Sequence, residues 1–260
     1  ILPKLQAGVR FFAVAASIAS YFLVGVNQRL PIITAGCISI GAGIVALLFG
    51  QDNYGRVKGN NIFRMLQLQA KSFIKEEKLL LLSLRTIVCH VPFVAFVLFW
   101  QIYATEVIHI ETKYLAFFLL VFMVLLMLGN YAVSIFTRKI SNLGTSIAGI
   151  IISILGFVLL FVLPSFPGFV MGAGLIEFGF GVEQSATSTW MCDCIESETR
   201  SAYSSIFSTI QSVAGFIIMN LLGVLTEWNG VNAAWCVAAV AMGVDIVILV
   251  IFSRKYRNRV

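Results

Sequence analysis

The sequence predicts an all-α integral membrane protein with about eight transmembrane helices. Three observations support this fold class. The first is composition, since 59% of the 260 residues are hydrophobic and only 12% are charged, and the second is the mean hydropathy of +0.95. Soluble domains contain roughly 45–50% apolar and about 25% charged residues. The third is length: because one span needs about 20 apolar residues, the chain holds about eight spans with short loops.

Apolar runs bounded by glycine, proline or charged residues locate these helices. We expect them at about 5–26, 31–50, 79–103, 113–136, 143–163, 168–190, 202–225 and 231–253. Runs such as YLAFFLLVFMVLLMLG at 114–129 do not alternate between apolar and polar residues, as the strands of a membrane barrel do. The runs are therefore interpreted as helices.

Basic residues indicate the orientation, because cytoplasmic loops carry the excess of Lys and Arg. Arg29 and Lys113 lie at one set of helix ends, Arg10 and Arg85 lie inside spans, and every other Lys and Arg lies at the opposite set. We therefore expect a multi-pass protein of the cell (inner) membrane with both termini in the cytoplasm. The net charge is +6, but the lysines and arginines form no basic face with interleaved aromatic residues. We therefore expect no nucleic-acid partner.

One long polar and basic connection, residues 51–78, divides the chain. It separates two helices within residues 1–50 from six helices within residues 79–260. Its second half, residues 62–78, is interpreted in two ways: an amphipathic helix on the inner leaflet, or a solvated linker.

Motifs for soluble chemistry are not found in the sequence. The five cysteines are an odd number and do not suggest a disulfide framework, and CDC at 192–194 offers too few ligands for a metal site. The sequence has no glycine-rich phosphate loop followed by Lys, and no helix with paired His and Glu. We therefore expect no catalytic residue, no metal, no cofactor and no enzymatic activity.

Two glutamates interrupt the predicted helix 168–190, in GLIEFGFGVEQSATSTW at 174–190. A charge at the bilayer centre costs on the order of 3 kcal/mol, so such residues face a bundle interior or a wet cavity. Glu177 lies about 14 Å into its span and shares a helical stripe with Gln184, whereas Glu183 lies about 120° around the helix. We predict that Glu177, with Glu183 as a second candidate, couples protons or binds a cation. The alternative is a protonated glutamate bonded to a neighbouring helix.

Weaker polar stripes occur on other predicted helices. The further candidates for a substrate or proton pathway are His90, Gln101, Asn130, Tyr131 and Gln211. Close packing of small and polar residues between helices is the alternative for each of them. Arg85 is expected to snorkel toward the cytoplasm, and Asp245, deep in the last helix, needs a partner that the sequence does not identify.

Two loop sequences resemble motifs of the major facilitator superfamily. LGNYAVSIFTRKISNLGTS at 128–146 is similar to the loop motif of that family in its basic pair, with Thr137 at the position of the aspartate. DCIESETR at 193–200 is similar to the acidic and arginine entry to the family's eleventh helix. The resemblance implies a cytoplasmic gate of ion pairs, with Arg138, Lys139, Glu196, Glu198 and Arg200 as its members.

The order of elements also resembles this family, from its fifth to its twelfth helix. The resemblance implies that residues 1–50 are the last two helices of an N-terminal bundle, 51–78 a linker, and 79–260 a six-helix C-terminal bundle. It further implies a cavity lined by the third, fourth, sixth and seventh predicted helices, and alternating access driven by protons. The expected partners are a small-molecule substrate, protons and the lipid bilayer, and a branch similar to drug-efflux carriers is favoured. The alternatives are an uptake carrier for a sugar or organic solute, and a truncated membrane protein without transport activity.

Overall fold

A computed structural model describes residues 11–12, 15–16, 18–20, 22–27, 29–49, 71–137, 139–195 and 199–256. Regular structure in these ranges is helical throughout, which confirms the predicted all-α class. The long helices are α1 (Leu30–Phe49), α2 (Glu77–Ile102), α3 (Leu115–Phe136), α4 (Asn142–Val162), α5 (Phe166–Cys194), α6 (Arg200–Asn229) and α7 (Val231–Tyr256). Of the predicted first helix, 5–26, the described residues between 11 and 26 are also helical.

Six helices among the described residues are long and apolar enough to cross a membrane. Of the long helices, α5 is not one of these six, although it has 29 residues. Its glutamates, amides and hydroxyls dilute its hydropathy, and half of its residues, including Ile176 and Val182, are buried against other helices. A helix in the middle of a bundle is shielded from lipid and tolerates polar residues that a lipid-facing helix excludes.

Capping residues define several of the helix ends. Ser141 accepts a hydrogen bond from the backbone N–H of Gly144 at 3.1 Å, and Ser165 caps α5 in the same way. Gly230 ends α6 with a positive φ of 74°, which suits glycine. The predicted helices 168–190 and 202–225 both end too early, because the hydrogen-bonded turns continue past the apolar residues.

The packing centres on α5, which lies against both α3 and α4, while α2 packs on α6 and α7. Glycines allow the backbones around α5 to approach closely. A Cβ added to Gly149 in α4 would lie 2.6 Å from the backbone nitrogen of Glu183, and one added to Gly156 would lie 2.6 Å from the carbonyl oxygen of Gly172. Between α3 and α5, a Cβ on Gly181 would overlap the carbonyl oxygen of Leu126.

An aromatic core fills the half of the bundle toward the C-terminal end of α2. Phe96 contacts the rings of Phe122, Phe157 and Trp235, with centroids 5.9–6.4 Å apart. The hydroxyl of Tyr103 donates to the carbonyl of Leu160 at 2.6 Å, so this buried phenol is satisfied. The aromatic rings in this half of the bundle are therefore closely packed.

The end of the predicted linker contacts the bundle. Residues 71–75 are helical, and Phe73 is buried against the rings of Tyr203 and Phe207 at 5.5 and 5.3 Å. The choice between an amphipathic helix and a solvated linker concerns residues 62–78, of which residues 62–70 lie outside the described ranges. None of the residues of α1 is buried, and the division at 51–78 stays a prediction.

We expect Gly181→Ala to destabilise the bundle by about 1–3 kcal/mol, because the added methyl group forces α3 and α5 apart. Gly243→Ala is the matched control, since an added Cβ there meets nothing within 4 Å. Thermal unfolding of the purified protein in detergent measures both. Equal unfolding temperatures for the two variants would show that the close approach of α3 and α5 is not required.

Candidate functional site

A buried ion-pair cluster connects α2, α5 and α7. The Nε of Arg85 donates to Oδ1 of Asp245 at 3.1 Å, and its Nη2 lies 3.3 Å from Oδ2 of the same carboxylate. The same Nη2 lies 2.5 Å from Oε1 of Glu183. One guanidinium therefore serves two carboxylates from two different helices. We call Arg85, Glu183 and Asp245 the charged cluster.

Two hydroxyls extend the charged cluster to α4. Thr187 Oγ1 accepts from Arg85 Nη2 at 3.0 Å and donates to Glu183 Oε1 at 2.7 Å. Its oxygen also lies 2.8 Å from Oγ of Ser146. Because the Thr187 proton points to the carboxylate, Ser146 is the donor in this last bond. A directed chain of hydrogen bonds thus runs from Ser146 through Thr187 to Glu183.

Local sequence places each member of this arrangement. Glu183 and Thr187 are four residues apart on α5, so they lie on one face of the helix. Gly149 lets α4 approach the backbone of α5 at Glu183, which brings Ser146 within reach of Thr187. Asp245 lies on α7, which packs directly against α2.

The charged cluster carries one more negative than positive charge when both carboxylates are ionised. The side chains of Arg85 and Asp245 are each 2% exposed, whereas that of Glu183 is 16% exposed. Charges inside the membrane region are costly unless they are paired, and truncating one partner of a buried pair costs about 3–5 kcal/mol. Arg85 therefore balances the buried carboxylate of Asp245, and the surplus negative charge lies on the more exposed Glu183.

A cavity of about 240 Å³ opens beside the charged cluster. Beyond the cluster its wall carries the polar residues His90, Gln184 and Gln211 and the aromatic rings of Phe93 and Phe180. His90 Nδ1 lies 3.0 Å from Nε2 of Gln211, which joins α2 to α6, and its ring stacks on Phe93 at 5.6 Å. The cavity thus combines a negative end with aromatic and neutral polar walls.

Four of the predicted pathway residues meet at this cavity: His90, Glu183, Gln184 and Gln211. The other four do not line it. Glu177 is buried elsewhere on α5, and Asn130 donates to the carbonyl of Leu126 in its own helix. Tyr131 is 63% exposed and Gln101 is also exposed.

The expectation that Arg85 snorkels to the cytoplasm is wrong, because the side chain is buried and held by two carboxylates. It is the partner that Asp245 needed. The sequence contained a usable signal: Arg85 and Asp245 are charges inside apolar spans, and charges there usually pair. Two residues of the eighth predicted helix, Met242 and Asp245, line the cavity although that helix was not expected there. The fourth predicted helix contributes only Leu126 to the described lining.

The predicted gate falls largely outside the described residues, since Arg138, Glu196 and Glu198 lie beyond them. Of the other two members, Lys139 is exposed and Arg200 donates to the carbonyl of Ile195 at 3.1 Å. The gate therefore stays a prediction.

Two other contacts connect the beginning of α2 to neighbouring helices. Lys78 donates to the carbonyl of Cys194 at 2.7 Å, joining α2 to the last turn of α5. Lys255 pairs with Glu77, joining α7 to α2.

Comparison with known proteins identifies a family. A protein-family profile described as Major Facilitator Superfamily matches residues 5–219. No curated protein sequence matches the chain. Arg85 and Glu183 lie within the matched residues, whereas Asp245 lies after them.

We expect Arg85→Gln to destabilise the protein by about 3–5 kcal/mol, because it leaves the buried carboxylate of Asp245 and the partly buried carboxylate of Glu183 without a counterion. Glu183→Gln should cost much less, since one balanced pair of Arg85 and Asp245 remains. Arg29→Gln, at an exposed position, is the control for loss of a charge. Unfolding temperatures in detergent compare the three variants, and an Arg85 variant as stable as the Arg29 variant would contradict the structural role of the cluster.

Proposed function

The chain belongs to the major facilitator superfamily of membrane transporters, and from this premise we propose that it is a proton-coupled carrier that exports small cationic or amphipathic organic compounds by alternating access. The observation that supports the proposal most directly is the surplus negative charge of the cluster beside the cavity. A surplus carboxylate is a place where a proton and a cationic substrate compete.

Glu183 is the carboxylate that we assign to proton exchange. Asp245 receives two contacts from Arg85 and is almost fully buried, so it acts as the fixed counterion. Glu183 receives one contact from Arg85 and is open on the cavity side. Both carboxylates line the cavity, and we assign proton exchange to Glu183 because its side chain is the more exposed of the two.

The hydroxyl chain responds to the charge of Glu183. With the carboxylate ionised, Thr187 donates to it and Ser146 donates to Thr187. Protonation of the bonded oxygen removes an acceptor, and Thr187 can then reverse its bond toward Ser146. Loss of the negative charge also weakens the hold of Arg85 on α5 while leaving its hold on α7. Protonation therefore changes the coupling between helices that must move during transport.

The cavity supports a preference for cations. Phe93 and Phe180 offer aromatic faces, and the carboxylate surplus attracts positive charge. The surplus negative charge would repel an anionic solute, which argues against uptake of organic anions.

Orientation and location complete the proposal. Basic residues concentrate at the ends of the bundle where α2 begins and α7 ends, as expected of the cytoplasmic side. We therefore propose that the protein lies in the inner cell membrane and that both of its termini face the cytoplasm.

We expect Glu183→Gln to abolish substrate-driven proton movement, because a neutral amide can neither release a proton nor attract a cation. The measurement uses the purified protein in liposomes with a pH-sensitive dye inside and ethidium as the substrate. Glu177→Gln tests the other candidate carboxylate, and Glu227→Gln, exposed near the end of α6, is the control. Proton movement lost in the Glu177 variant and retained in the Glu183 variant would transfer the coupling role to Glu177.

We expect cells that contain the protein to accumulate ethidium more slowly than cells that lack it. Phe180→Ala should weaken export by roughly tenfold at low ethidium concentration, because it removes an aromatic face from the cavity. Leu221→Ala, at an exposed position on α6, is the matched control. Equal accumulation in cells with and without the protein would exclude export of hydrophobic cations.

A further inference from the structure

A second cleft lies between the helical residues Ile18 and Phe22 and the start of α3. Its volume is about 710 Å³, larger than the cavity at the charged cluster. Ile18 and Phe22 form one wall, and Phe117 and Leu120 contribute to the other. Among the described residues that line it, Lys113 is the only charged one, and it lies with Tyr114 just before α3.

The position of this cleft along the membrane normal follows from α3. The span begins at Thr112, so Lys113 and Tyr114 occupy its first turn. Tyrosine rings and lysine side chains favour the interface between headgroups and hydrocarbon. Leu120 is six residues further along, which places it about 9 Å deeper at 1.5 Å per residue. The cleft therefore has a cationic mouth at the interface and an apolar wall in the hydrocarbon region.

The ammonium group of Lys113 is accessible at this mouth. It lies 2.6 Å from Oε2 of Glu111 and 4.9 Å from the ring centre of Tyr114. The side chains of Lys113 and Glu111 are 61% and 66% exposed, and exposed pairs of this kind contribute little. A phosphate can therefore take the place of Glu111 at small cost.

The geometry points to a binding site for an anionic phospholipid in this cleft. The headgroup phosphate contacts Lys113 and the hydroxyl of Tyr114, and one acyl chain lies between Phe22 and Phe117. The long apolar wall fits an acyl chain, and the positive charge of Lys113 at the mouth favours an anionic headgroup. This assignment is independent of the proposed transport reaction, since the charged cluster and its cavity lie among other residues.

Photo-crosslinking tests the site directly. The probe is phosphatidylglycerol with a diazirine on one acyl chain, added to the purified protein in detergent, and mass spectrometry maps the labelled residues. Unlabelled phosphatidylglycerol and phosphatidylcholine serve as competitors. Lys113→Gln removes the cation at the mouth, Ala116→Trp fills the cleft, and Lys139→Gln removes an exposed lysine near the opposite end of α3.

We expect labels concentrated at residues 18–22 and 114–120, displaced more readily by phosphatidylglycerol than by phosphatidylcholine. Labelling should fall roughly fivefold in Lys113→Gln, disappear in Ala116→Trp, and stay unchanged in Lys139→Gln. Three results would overturn the site: equal labelling of exposed α6 residues such as Phe216, equal effects of the two lysine variants, or an unlabelled cleft. The last would mean that another segment of the protein fills it.

Discussion

The pairing of Arg85 with Glu183 and Asp245 is the constraint on which the rest of the bundle depends. An isolated charge within the membrane region is so unfavourable that the three helices carrying these residues must meet at one level. Ser146 adds α4 to the same level through Thr187. The register of four helices is thereby set by hydrogen bonds and charge, in a solvent where apolar contact between helices gives little preference over lipid.

Packing divides the bundle into two halves with different properties. Toward the end of α2 the aromatic rings around Phe96 are closely packed, and the Tyr103 hydroxyl donates a hydrogen bond. Toward the beginning of α2 the polar cavity opens beside Arg85. Glycines on both sides of α5 hold its backbone close to α3 and α4, so that a polar helix stays shielded from lipid. The bundle therefore combines an aromatic half with a polar half that contains the charged cluster.

Several features agreed between sequence and structure because they depend on one residue or one helix at a time. The helices, their all-α class and the basic ends follow from hydropathy and charge, which each segment expresses by itself. The likeness to the major facilitator superfamily was carried by short loop motifs and by the order of elements, and the family assignment confirms it. His90, Glu183, Gln184 and Gln211 were found because polar residues inside apolar runs are conspicuous.

The sequence indicated that Arg85 and Asp245 each need a partner, but it did not show which helices lie side by side. Arg85 and Asp245 are 160 positions apart, and nothing in either segment specifies that α2 lies against α7. For the same reason the sequence placed Glu177 before Glu183, although of these two only Glu183 lines the cavity and contacts Arg85. Hydropathy determines which segments enter the membrane. The partners of a buried charge depend on helix rotation and neighbours, which only the packed bundle decides.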